Sequence, residues 1–182
     1  MQLEEVCHEI VGLVPVYEQN GDCCRIYRQV GEDKSLTKFT QPRTVEMTKR
    51  QLARCYALDL TAQGILLRRE YQRSSPLPFY LYDGRVFIPL KMRMPKVAGD
   101  PSYGYLEMSV ISRVIPAGNN HCSLILQDGT SLPVYNQINT ARLSIYFGIE
   151  IKRDIIARRY GQQQEALQAL QILHGYLQSQ RK

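Results

Sequence analysis

The sequence predicts an α+β fold: mainly antiparallel β-sheet built from hairpins through about residue 135, one helix near residues 49–60, and a helical C-terminal third. Two observations carry this expectation. Asp83-Gly84 separates FYLY from RVFIPL, and Asp128-Gly129 separates LILQ from TSLPVY, so each Asp-Gly pair sits between β-rich segments as a tight hairpin turn requires. After Asn136 the apolar residues recur every three to four positions, the period of a helix.

Taken in order, IVGLVPV (10–16) and CCRIYRQV (23–30) flank Asn20-Gly21 and read as an opening hairpin. Residues 31–44 are polar with one proline and read as a loop. Thr48 followed three residues later by Gln51 has capping-box spacing and opens KRQLARCYALDL, with Leu52, Cys55 and Tyr56 on one face. In that helix Lys49 and Arg50 stand in the first turn and Arg54 follows, the wrong sign for the positive end of the helix dipole, at a cost of a few tenths of a kcal/mol each. Such a conflict marks the charges as serving either a partner or an ordinary solvated face.

A further basic stretch, ILLRREYQR, holds Arg68, Arg69 and Arg73 and ends at Ser74-Ser75-Pro76-Leu77-Pro78. The run from Phe87 to Lys96, read as an extended strand, places Leu90, Met92 and Met94 on an oily side and Lys91, Arg93 and Pro95 on the other, with Lys96 just beyond. YLEMSVISRVI (105–115) reads as one strand. Asn136 or Asn139 caps a helix through ARLSIYFG that continues to Gly161. The tail aligns Leu167, Leu170, Leu173 and Leu177 along one side of a Gln-rich helix. The expected organisation is a body over residues 1–160 and an amphipathic helix over 161–182 that docks on the body or serves oligomerisation.

Lys plus Arg number 23 against 17 Asp plus Glu, a formal charge of +6 that favours an anionic partner such as nucleic acid. The first residues, MQLEEVCHEI, are acidic and read as no secretory signal, and no run of about 18 apolar residues is present. A cytoplasmic protein with no membrane partner and reduced thiols at Cys7, Cys23, Cys24, Cys55 and Cys122 is the expectation. The histidines, His8, His121 and His174, pair with no cysteine in a recognisable catalytic motif, and adjacent Cys23-Cys24 point to opposite faces of a strand rather than to one zinc ion. With no Walker loop and no GxGxxG motif, the sequence argues for binding rather than catalysis: no catalytic residues, no metal, no cofactor and no small-molecule substrate.

The order of segments carries a resemblance. VGLVPVY, the TQPR loop, RQLARCYALDLTAQG, RVFIPL, the pair Gly104-Tyr105 and DGTSLPVYNQINTARL follow one another, over roughly residues 10–153, in a succession that resembles the ComK-like competence transcription factors of Gram-positive bacteria. Tyr105 stands where that family typically has tryptophan, and the tail beyond Tyr160 has no counterpart in its pattern. The resemblance implies a DNA-binding activator that recognises A·T-rich boxes, acts as a multimer and switches on DNA-uptake genes. Narrow A·T-rich minor grooves attract inserted Lys and Arg. Charge and spacing nominate Lys91, Arg93 and Lys96 for that contact, and Arg68, Arg69, Arg73, Lys49, Arg50 and Arg54 for phosphates. LQDGTSLPVYNQINTARLSIYFG also has the strand-turn-helix character of LytTR-type DNA-binding regulators, and a cytoplasmic protein-interaction module is the reading from a different class.

Overall fold

In a computed structural model, the described residues are 3–19, 21–31, 35–97 and 99–179, with side chains described through Gln168 and at Leu170. Antiparallel pairing organises nine strands among these residues into two sheets. Helix α1 (Leu3–Val6) and a 3-10 turn (Cys7–Glu9) lead into β1 (Ile10–Glu18), β2 (Gly21–Val30) and β3 (Ser35–Gln41). Two helices follow, α2 (Val45–Cys55) and α3 (Leu60–Tyr71), then β4 (Phe79–Tyr80), β5 (Val86–Lys91) and β6 (Tyr103–Glu107). A 3-10 turn at Met108–Val110 passes the chain to β7 (Ile111–Pro116), β8 (Cys122–Leu126) and β9 (Ser131–Val134), and α4 (Ile138–Ser179) completes it. The larger sheet runs β3-β2-β1-β6-β5-β4 and the smaller β7-β8-β9. None of the described helices is long and apolar enough to cross a membrane.

Alternation along the strands, shifted once by the β1 irregularity between Ile10 and Gly12, divides the apolar residues between two cores. Ile10, Leu13, Ile26 and Phe87 face α1 and α2, where Leu3, Val45 and Leu52 cover them. Val11, Val14, Ile88, Leu90 and Leu106 face the other way, onto the smaller sheet and α4 through Leu124, Val134, Phe147 and Ile151. Buried on both faces, β1 and β5 read as nearly continuous apolar runs, IVGLVPVYE and VFIPLK. Two glycines mark the tightest approaches. A Cβ on Gly104 would lie 2.7 Å from Leu13 O, and one on Gly148 of α4 would lie 2.6 Å from Ile88 Cγ2.

The α+β class and the three expected hairpins are present, and four expectations are corrected. Residues 31–44 contain β3, an outer strand whose exposed positions leave it without an apolar signature. The expected single helix at 49–60 is two helices, with Thr44 rather than Thr48 as the cap: Thr44 Oγ1 accepts from Met47 N (3.2 Å), while Thr48 is buried and its hydroxyl donates to Thr44 O (3.0 Å). Tyr105–Ile115 is not one strand, because the turn at Met108–Val110 sends its two halves to different sheets. Asn139 lies inside α4, and Asn136 instead accepts the backbone N–H of Lys91 at 3.0 Å, so neither serves as the expected cap. α4 runs unbroken past residue 160.

Candidate nucleic-acid interface

α2 and α3 are joined by residues 56–59 alone. Tyr56 N and Leu58 N both donate to Ala53 O (3.1 and 2.9 Å), and Ala57 N donates to Arg54 O (3.0 Å). Ala57 adopts the left-handed region at φ +48°, turning the chain out of α2. Asp59 then caps α3, its Oδ1 accepting from Thr61 N (2.8 Å) and Ala62 N (3.0 Å). α2 and α3 are thus two helices joined by a four-residue turn.

The inner face of the unit is fixed to the body. Leu52, Ala53 and Leu67 are buried, and so is Gln63, whose Nε2 donates to Tyr80 O (3.0 Å) while its Oε1 accepts from Tyr80 N (2.9 Å). This paired bond pins α3 to β4. α3 exposes Thr61, Ala62, Ile65, Leu66, Arg68, Arg69 and Glu70, of which Arg68 bonds to Ser75 and Glu70 pairs with Arg158.

Two grooves flank α2. One, of about 720 Å³, is lined by Lys49, Arg50, Arg54 and Arg68 together with Glu46 and Asp59. The other, of about 630 Å³, is lined by Arg43, Arg50, Arg54, Glu4 and Gln51. Arg50 and Arg54 line both and so form the ridge between them. Because α2 begins at Val45, Glu46 occupies its first turn and Arg54 its last, and the expected conflict with the helix dipole does not exist.

The nominated cations differ in what holds them. Lys49 is committed to the body: Nζ meets Glu46 at 2.8 Å, donates to Tyr105 Oη at 3.1 Å and lies 4.5 Å over that ring. Arg50 touches Glu46 at 3.2 Å yet its side chain remains 68% exposed. Arg68 donates to Ser75 Oγ (3.2 Å), and Arg73 stacks 4.9 Å over Phe147. Arg54 and Arg69 are exposed with no ion pair or hydrogen bond among the described residues. Lys49, Arg50, Arg54 and Arg68 are thus brought to one groove, whereas Lys91, Arg93 and Lys96 line neither.

The run at 87–96 requires the largest correction. β5 ends at Lys91, and Met92 N and Arg93 N both donate to Ser102 O (2.9 and 3.2 Å), so the side chains cease to alternate there. Met92 and Arg93 are both buried and Met94 is exposed, the reverse of the expected faces for the last two. Arg93 donates to Asp22 Oδ1 (2.5 Å), Pro101 O (2.5 Å) and Val16 O (3.3 Å) and stacks 4.0 Å over Tyr17. It ties Pro101 to β1 and β2 and is buried in doing so. Lys91 is half-buried, and Lys96 is exposed with Nζ 4.5 Å over Tyr17. Of the tail residues, Leu167 and Leu170 are exposed, and the side chains of Leu173 and Leu177 lie outside the described residues.

Burial pushes the Cys24 thiol up to about 12 and the Cys55 thiol to about 11, so both are protonated at neutral pH. Among the described residues no three His, Cys, Asp or Glu side chains gather as a metal site. Compared with protein families, with curated proteins and with solved structures, the chain matches none of them. Sequence reasoning missed α3 as a separate helix; its signal was Asp59, a capping residue standing within an otherwise helical pattern from Val45 to Tyr71.

Proposed function

We propose that the protein is a duplex-DNA-binding transcription regulator whose α2–α3 unit is its reading element. The observation that carries this is a pair of helices joined by a four-residue turn, with Arg54 and Arg69 exposed and without an ionic partner among the described residues and with Arg50 and Arg54 on the ridge between two grooves. Arginines so exposed serve phosphates and base edges. α3 enters the major groove with its N-terminal half foremost, where Thr61, Ala62 and Ile65 offer methyl groups to thymine methyls. That chemistry favours A·T pairs, in keeping with the A·T-rich boxes and the activation of DNA-uptake genes implied by the ComK-like resemblance. The strand-borne minor-groove contact is set aside because Arg93 is buried.

Fluorescence anisotropy on an A·T-rich duplex across a salt series tests this. Neutralising about six phosphates gives a log-log slope of roughly −5. Replacing Arg54 and Arg69 by Ala flattens that slope by about 2 and weakens binding to every duplex, whereas Ile65→Ala relaxes the preference for A·T sites. A protein with no duplex affinity at about 50 mM salt overturns the reading.

A further inference from the structure

α4 is apolar on two faces. Ala141, Phe147 and Ile151 are buried against the sheets, with Ile145 and Ile155 half-buried beside them. On the other side Tyr146, Ile149, Ile156, Tyr160, Leu167 and Leu170 are exposed, none less than 46%. Together with Arg153 and Gln163 they occupy positions 146, 149, 153, 156, 160, 163, 167 and 170, an unbroken alternation of three and four. This is the heptad seam of a coiled coil, which needs a partner helix of the same repeat. Among the described residues nothing of the body covers it, and from Gln162 to Gln168 every side chain is exposed.

The seam is complementary to its own reverse. Laid antiparallel about position 158, Tyr146 meets Leu170, Ile149 meets Leu167, Arg153 meets Gln163 and Ile156 meets Tyr160. Every apolar residue faces an apolar one, and the two polar residues face each other. A parallel pairing in register would instead stack Arg153 on its own copy, a like-charge contact in the seam. The antiparallel arrangement also lays the projecting half of each helix on the exposed stripe of the half that the other body holds. Six large residues at about 60% exposure, each of about 200 Å² accessible area, offer roughly 700 Å² per protomer, or about 1,400 Å² for the pair, within the range of stable interfaces.

We infer that the α4 seam from Tyr146 to Leu170 is covered by the same seam of a second copy of this chain, antiparallel and two-fold symmetric. The pairing fixes more than two helices. Tyr71 at the end of α3 donates to Asp154 Oδ2 at 2.5 Å and meets Phe147 edge-on with centroids 5.1 Å apart, and Arg158 Nη2 reaches Glu70 Oε2 at 2.7 Å. α3 is thereby clamped to α4, and a two-fold pair of α4 helices holds two α3 helices in one fixed relation. Resting on the DNA reading above, the dimer takes paired half-sites in inverted order.

Sedimentation of the full chain and oxidative cross-linking test the pairing. At about 50 µM the wild type sediments at twice its 21.0 kDa chain mass, and Leu167→Glu with Leu170→Glu returns it to 21.0 kDa with an unchanged far-UV spectrum. A chain carrying Ile149→Cys and Leu167→Cys oxidises to a covalent dimer, while Leu167→Cys alone and the wild type, which retains the same five native cysteines, do not. A wild type at monomer mass overturns the inference, and so does a covalent dimer from Leu167→Cys alone, which reports parallel helices. The two readings fail separately: a cross-linked 149–167 dimer without duplex affinity overturns the DNA reading and leaves the pairing standing.

Discussion

Replacing Arg93 with Ala separates a structural clasp from a DNA contact. The change leaves the Asp22 carboxylate and the carbonyls of Val16 and Pro101 without their donor and empties the space over Tyr17. Removing one member of a buried pair costs about 3–5 kcal/mol. Two features place Arg93 at the lower end: the Asp22 side chain is 22% exposed, so water reaches it, and Arg93 Nε is buried without a partner in the native state. A loss of about 3 kcal/mol follows, and with a urea dependence of about 2 kcal/mol/M the unfolding midpoint falls by about 1.5 M. Urea titration by circular dichroism measures this, with Lys96→Ala, an exposed change, expected within about 0.5 kcal/mol of wild type. An Arg93→Ala protein with an unchanged midpoint but tenfold weaker duplex binding would refute the assignment, since the side chain would then be serving DNA.

Two further outcomes follow from buried contacts. Gly148→Ala drives a methyl into Ile88 Cγ2 and Met108 Sδ, forcing α4 away from β5, and lowers stability by about 1–3 kcal/mol; a melting temperature at or above wild type contradicts that packing. Burial raises the Glu107 carboxyl above its ordinary value near 4.5, although Ser109 donates to it and Arg85 lies near. A raised native value contributes stability that is complete below pH 4.5 and is lost as pH climbs through that native value. Glu107→Gln lacks this loss, so its urea midpoint gains on wild type between pH 4.5 and pH 7.5, and a constant difference over that interval refutes the linkage.

What was legible in the sequence was local. Gly84 and Gly129 adopt φ of +89° and +85°, conformations that favour glycine, and both hairpins stand where their Asp-Gly pairs announced them. β3 was illegible because an outer strand with solvated positions has no apolar pattern to show. The break between β6 and β7 was hidden for a different reason: Met108–Val110 turns the chain without the glycine or proline that punctuates most turns. Arg93 failed as a surface reading because its partner Asp22 is distant in sequence and because alternation was carried past Lys91, where the ladder has ended. In the candidate interface, the basic residues of 49–54 and Arg68 were nominated by charge alone. Their assembly around one groove depends on the left-handed Ala57, a conformation that nothing in an alanine announces.

The pairing of β1 with β6, Gly12 against Leu106 and Leu13 against Tyr105, joins positions more than ninety residues apart. At synthesis rates of about 5–20 residues per second, Leu106 follows Gly12 from the ribosome by on the order of 5–20 s. During that interval β1 and β2 can form their hairpin and α2–α3 their two helices from local contacts, while the apolar edge of β1 waits without a neighbour. The growing chain therefore carries a formed helical pair before it owns a closed sheet. Its period of greatest exposure to misassociation ends only when β6 is delivered to that edge.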